Sequence, residues 1–527
     1  MKSTRRRVIQ LIGSTVPVLA ASGTWAPLVA QTANRDIDIK PGLFSNTRES
    51  LKSYVIPEWF ADAKFGIWSH WGPQSAIGEG DWYARRMYIE GEPQYEYHVK
   101  RFGPQSRVGY KDLIPLFKAD RWDPEHLMDL YAKAGAKYFF SMGVHHDNFD
   151  MWNSKFQPRW NAVASGPRKD IVGLWAAAAR KRGLRFGVSE HLSNSFDWLA
   201  PAHLADTKGR YAGVPYDGSD PRFSDLYHDY CTQPADFART AKEMGRVAPD
   251  SWKLTYFRRI KDLIDQHQPD LLYTDGGIPF EEYGLGTVAE IYNTAGMNIH
   301  NQTEGIYFSK SRQDSESGIC ILDRERGVSS EISPAPWQTD TCIGHWHYKR
   351  GQIYKTPKKV IDLLVDIVSK NGNLLLNFPL PASGELDRDE IRVLQGITDW
   401  MAVNGEGIYA TRPWKINGEG PAMGVAVDPN ARFNEGVQPD LGAQDIRYTA
   451  KGRTLYAFVQ GWPRGDVTIR ALGTAGAQSP ASAADVRMLG RDETLKFTQD
   501  ESGMRVSLPA EKPATADIGI ALRISFA

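Results

Sequence analysis

The chain has 527 residues, more than one hydrophobic core ordinarily accommodates, so two or three domains are expected. Hydrophobic residues make up 41% and charged residues 24%, a globular composition rather than a disordered or membrane-embedded one. Lys plus Arg and Asp plus Glu each total 63, which removes the electrostatic case for a nucleic-acid partner.

The first thirty residues stand apart. "TRRRVIQ" leads into the apolar run "LIGSTVPVLAASGTWAPLVA", which is too short to span a bilayer and ends on small residues. This pattern predicts an export signal over 1–30, and paired arginines after Thr4 suit the twin-arginine route, so a periplasmic or secreted protein is expected. Without Lys2, Arg5, Arg6 and Arg7 the chain would carry 59 bases against 63 acids, a net charge of −4. No other stretch is apolar enough to span a membrane. Only three cysteines occur, Cys231, Cys320 and Cys342, which excludes a disulfide framework. Neither a CxxC pair nor HExxH is present, so no common zinc site is signalled.

Residues 31–55 read as a mobile leader. From about 56 to 410, strand-like and helix-like segments alternate. "KFGIWSHWG" is a short apolar strand. In "DPEHLMDLYAKAGA", Asp123 is placed to cap a helix that Pro124 begins. The strand "KYFFSMGVH", the helix "IVGLWAAAARKRG" and the strand "LRFGVS" follow. The helix "TYFRRIKDLIDQH" then precedes the strand "DLLYTDGG". Thr356-Pro357 opens "KKVIDLLVDIVSK", Asn371-Gly372 closes it, and "NLLLNFP" is the next strand. Repeated βα units with continuously apolar strands predict an α/β fold, a (β/α)8-like, TIM-type barrel. A doubly wound sheet is the rival, but no Gly-rich phosphate loop follows the first strand. Residues 411–527 change to short alternating runs such as "TLYAFVQGW" and "DVTIRAL", which predict a C-terminal antiparallel β-sandwich.

Catalytic side chains of a parallel barrel gather at the C-terminal strand ends. Four successive predicted strands end in polar groups: His70 and Trp71, then His145, His146 and Asp147, then Glu190 and His191, then Asp275. Asp275 is followed by Gly276 and Gly277, which leave room for a ligand; a helix cap or loop former is the plainer alternative. Adjacent histidines on extended backbone diverge, so His145 and His146 are poorly placed to share a metal. Many aromatics, 16 of them Trp, suit the stacking faces of pyranoses as well as a core.

The motifs "WFADAKFGIWSHWG", "DWYARRMY", "HHDNFDMW", "PDLLYTDGG", "VSKNGNLLLNFPLPASGEL" and "NGEGIYATRPW" occur in family order. On them the chain, from about residue 50 to 415, resembles the α-L-fucosidases of glycoside hydrolase family 29, with a weaker likeness beyond. The resemblance implies an imperfect barrel, a retaining mechanism without metal or cofactor, and a fucosylated oligosaccharide or glycoconjugate as substrate. It makes Asp275 the nucleophile. Such chemistry needs a second carboxyl ~5–5.5 Å away that holds its proton near neutrality. The resemblance places that group on a variable loop, where Glu325 is favoured over Glu331, with Asp323, Glu304 and Glu316 nearby. It also implies sugar-binding roles for His70, Trp82, His145 and His146. The 6-methyl of fucose calls for an apolar contact, for which Trp71, Trp152 and Tyr273 are candidates.

The chain departs from the family pattern at several places. Asp81 stands for a glutamate, Tyr273 for a tryptophan and Gln338 for a glutamate. "SEH" brings Glu190 and His191 where the family has "YYS", and no "NDRWG" segment supplies the usual arginine. Glu190, His191 or Asn301 could compensate. Three rival readings follow: a non-catalytic glycan-binding protein on this scaffold, a glycosidase for another galacto-configured sugar, and a metal hydrolase built on His70, His145, His146 and Asp147.

Overall fold

The computed structural model describes residues 37–230, 233–424, 433–437, 439–475 and 482–526. The export segment expected over 1–30 and Cys231 lie outside the described residues. Eight parallel strands form the first body: β1 (Phe65–Ser69), β2 (Tyr138–Val144), β3 (Arg185–Glu190), β4 (Leu271–Thr274), β5 (Ile306–Ser309), β6 (Ile321–Leu322), β7 (Trp337–Cys342) and β8 (Gly372–Asn377). Their lateral order is β6-β5-β4-β3-β2-β1-β8-β7, and a parallel bridge between Asp323 and Gln338 brings the two edges together into a nearly closed barrel.

Local chemistry sets the elements. β2 and β8 are buried along their whole length, as continuous apolar runs covered on both faces should be. Asp123 accepts from His126 N (3.0 Å) and Thr356 from Lys359 N (3.2 Å), so both caps form as the sequence predicts. Gly66 is required by close approach: a Cβ there would meet the Tyr138 ring at 2.2 Å. Cys320 and Cys342 are buried free thiols.

The stretch read as a mobile leader has a fixed place from Asp38 onward. Asn293, on the helix Glu282–Thr294, donates to Lys40 O and Phe44 O and accepts from Phe44 N. Tyr54 stacks on Tyr292 with ring centroids 4.3 Å apart. Buried Phe44, Leu51 and Tyr54 supply the apolar contact that a polar composition conceals.

The C-terminal strands are β9 (Arg412–Glu419), β10 (Ile446–Lys451), β11 (Thr454–Val459), β12 (Val467–Ile469), β13 (Ala483–Met488), β14 (Phe497–Asp500), β15 (Gly503–Val506) and β16 (Ile520–Phe526). They make two antiparallel sheets, β13-β16-β11-β10-β9 and β12-β15-β14, around a core that includes Tyr448, Val486 and Met504. Tyr456 and Phe458 of β11 belong instead to the barrel's core. No helix among the described residues is long and apolar enough to cross a membrane.

Candidate active site

One positional rule builds the site. His70, His145, His191, Asp275 and Lys310 are each the first residue beyond β1, β2, β3, β4 and β5. All five line a compact pocket of about 140 Å³ at the C-terminal mouth of the barrel. Trp68, Asp81, Trp82, His146, Tyr273, Glu325, Asp340, Trp346 and Phe433 complete the wall. Gly276 makes the turn after Asp275 possible with φ +135°, and nothing lies within 4 Å of where its Cβ would be.

Asp275 is the electrostatic centre. His146 Nε2 lies 3.1 Å and His191 Nδ1 3.2 Å from its Oδ2, and Lys310 Nζ donates to its Oδ1. Burial alone would raise this carboxyl. The Lys310 charge, with His191 and His146 close by, outweighs burial and holds it well below the usual carboxylate range. Lys310 Nζ also donates to Glu325 Oε2 at 2.5 Å, so one ammonium bridges the two carboxyls. Glu325 is pushed the other way: burial, with Asp340 and Asp275 nearby, overrides Lys310 and lifts it to about 7. Two titratable groups driven apart by their surroundings form the pattern of an acid and a nucleophile.

Behind them lie the buried carboxyls of Asp340 and Asp323, and burial raises both. Burial and mutual repulsion raise Asp323, while Asp340 accepts from Tyr273 OH at 3.0 Å. Gln338, standing where the family has a glutamate, donates to Asp323 Oδ2 at 2.8 Å.

The histidines are hydrogen-bonding groups in a dry wall. Burial lowers His191 and His347 to about 4 and His70 and His145 well below their usual value, so these rings are neutral at neutral pH. Within their sets, His70, His145 and His347, and His145, His146 and His191, bring ligand atoms within 4.8 Å of one another. The expectation that His145 and His146 diverge is therefore corrected: β2 ends at Val144, His146 begins a turn, and their rings lie 4.5 Å apart. Both sets use His145, however. Ala84 N fixes Gln74 Oε1, so the Gln74 amide NH₂ faces His145 Nδ1 at 2.9 Å. The neutral ring then carries its proton on Nε2, a donor for a hydroxyl rather than a metal ligand.

Several candidates fall outside the pocket wall. Trp71 is 1% exposed, packs edge-on against Phe117 and donates to Pro381 O. Glu190, the last residue of β3, is fully buried; Thr274 OH, Tyr256 OH and Leu192 N donate to it, and burial lifts it to about 7. Glu331 is exposed on the surface. Trp152 is core, donating to Asp262, and Asn301 sits on an exposed turn. Asp81, one methylene shorter than glutamate, accepts from Trp346 N (3.2 Å) and His347 N (2.6 Å) and so pins the loop after β7. Sequence reading missed Trp68, Lys310, Asp340, Trp346, His347 and Phe433. Lys310 alone could have been found from it, by applying the strand-end rule to "IYFSK".

Model comparison decides the family: the α-L-fucosidase model matches residues 31–406, and the α-L-fucosidase C-terminal domain model matches 438–525. The chain belongs to the α-L-fucosidase family of glycoside hydrolases. Human tissue α-L-fucosidase is 27% identical over 491 residues, covering 90% of each chain. The Branchiostoma floridae α-L-fucosidase is 25% identical, covering 88% of this chain and 92% of its own. The Thermotoga maritima α-fucosidase in complex with fucose is 26% identical, with TM-score 0.68, covering 91% of this chain and all of that one. The same enzyme with a mechanism-based inhibitor gives 25% identity and TM-score 0.66, covering 92% of this chain and all of that one.

Proposed function

We propose that the protein is an exported, exo-acting retaining α-L-fucosidase. Asp275 attacks the anomeric carbon of terminal α-L-fucose while Glu325 gives its proton to the departing glycosidic oxygen. The C–O bond breaks and a β-fucosyl ester of Asp275 forms. Glu325, now a carboxylate, then takes a proton from water, which attacks the same carbon and releases Asp275 with α-fucose. The observation that carries this reading is the shared Lys310 ammonium. Two hydrogen bonds end to end set the carboxyl oxygens at most ~6 Å apart. That favours the ~5–5.5 Å of a retaining pair over the ~6.5–9.5 Å an inverting enzyme needs for its water.

His70, His145, His146, His191 and Trp82 supply donors and edges for sugar hydroxyls, and Trp68, Tyr273 and Trp346 an apolar wall for the methyl. A hydroxyl left unpaired in such a wall costs ~1–3 kcal/mol, which selects between epimers. Proton NMR of the first product formed from an α-fucosyl glycan tests the reading. Initial α-fucose supports it, initial β-fucose sinks the retaining mechanism, and fucose binding without release favours a glycan-binding protein. Fusion of residues 1–30 to a reporter tests export by the twin-arginine route.

A further inference from the structure

Phe433–Val437 lies between β9 and β10, in the stretch that neither family model covers. It reaches back to the loop that follows β6 and carries Glu325. Asn434 Oδ1 accepts from Val328 N at 2.7 Å. Glu435 N donates to Arg326 O at 2.9 Å. The Glu435 carboxylate, 7% exposed, accepts from Arg326 Nε (3.0 Å), Lys355 Nζ (3.0 Å) and Thr341 Oγ (2.5 Å). Burial opposes its charge, but Lys355, Thr341 and Arg326 prevail and keep it ionised.

The residue so held is strained. Arg326 has φ +45°, a left-handed conformation that a long side chain adopts only when its surroundings over-determine it. Its N donates to Asp340 O at 2.7 Å on the barrel side, while Glu435 grips its carbonyl and guanidinium on the other. This fixes the backbone one residue past Glu325. Phe433, 52% exposed, stands where the compact pocket opens into a second cavity of about 720 Å³. Both cavities are bounded by Trp82, Asp275, Lys310, Glu325 and Phe433, so the larger one is where a leaving group would lie.

We propose that Glu435 is a positioning residue for Glu325, so that the C-terminal module completes the active site instead of only buttressing the barrel. The inference rests on Glu325 being the acid/base. The test compares kcat/KM for a fucosyl-galactose disaccharide, whose leaving oxygen needs a proton, with that for a fucoside of a strongly acidic phenol, which needs none. In Glu435→Gln the disaccharide-to-aryl ratio is expected to fall ~10-fold, part of the 10²–10⁴ that acid/base help supplies. Thr341→Val, which removes one clamp from the barrel side, is expected to move the ratio the same way by less, and decides the matter if Glu435→Gln does not fold. A ratio unchanged in the folded variants, with both substrates declining in step, overturns the proposal. Wild-type protein that cleaves neither substrate overturns the fucosidase reading instead.

Discussion

Lys310 ties the two carboxyls together, and its charge is what separates their behaviour. It lowers Asp275 decisively and lowers Glu325 less than burial and neighbouring carboxylates raise it. In the proposed mechanism the active form has Asp275 ionised and Glu325 protonated. Raising the pH through about 7 removes the proton the leaving group needs, so kcat/KM is expected to decline on that alkaline limb. On the acid side activity is expected to hold until His191 and His347 protonate near 4. Lys310→Met takes away a charge that favours both ionised forms, so the alkaline limb should move up by ~1 pH unit or more. A pH profile with an unmoved limb would deny Lys310 this part. Azide separates the carboxyl roles by stereochemistry. Glu325→Ala should lose ~10²–10⁴ in rate on glycans and, rescued by azide, yield the α-fucosyl azide. Asp275→Gly should yield the β anomer, because azide then enters the face the nucleophile left. Asp275 was legible because a carboxylate followed by two glycines after an apolar strand is conspicuous. Lys310 follows β5 by the same strand-end rule, but "SKSR" reads as an ordinary solvated loop, since its burial comes only from the closure of the barrel around it.

The loop after β2 shows how an element is held ready for this chemistry. Arg259, on the helix Asp250–His267, pairs with Asp150 at 2.5 Å and donates to Asn148 Oδ1 at 2.5 Å, with Arg259 1% and Asp150 0% exposed. Asn148 itself is left-handed, φ +65°. Breaking a buried pair from one side strands the other charge, which typically costs ~3–5 kcal/mol. Arg259→Ala is therefore expected to lower the urea midpoint and, by loosening His145 and His146, to raise KM for fucosides; a variant of unchanged midpoint would contradict the burial. Strand and helix identities at this scale were readable from apolar runs and caps, as Asp123 and Thr356 show. The inward aim of Asp340 in "WQTDTC" was not, since alternation within β7 acquires an inside only once β8 and the β6 edge lie beside it.

The barrel and the C-terminal sheets meet across a buried seam. Trp400 Nε1 donates to Gly519 O at 2.8 Å, and Arg447 of β10 and Lys370 both pair with the buried Asp366 at 2.7 Å. Tyr456 and Phe458 fill the barrel's core from β11. A chain cut after residue 406 would expose that face and lose Phe433 to Glu435, so it is expected to be insoluble or inactive; soluble, active barrel would show the two bodies to be independent. Composition announced the second domain through its short alternating strands, yet nothing in "FNEGV" signals a return to the loop that carries Glu325, because that contact joins residues more than a hundred positions apart. The most direct measurement is peptide mapping after inactivation with 2-deoxy-2-fluoro-α-L-fucosyl fluoride. The expected result is one fucosyl adduct, on Asp275 in the peptide containing "LLYTDGG"; an adduct on any other carboxyl, or inactivation with no covalent adduct, would contradict a nucleophilic Asp275.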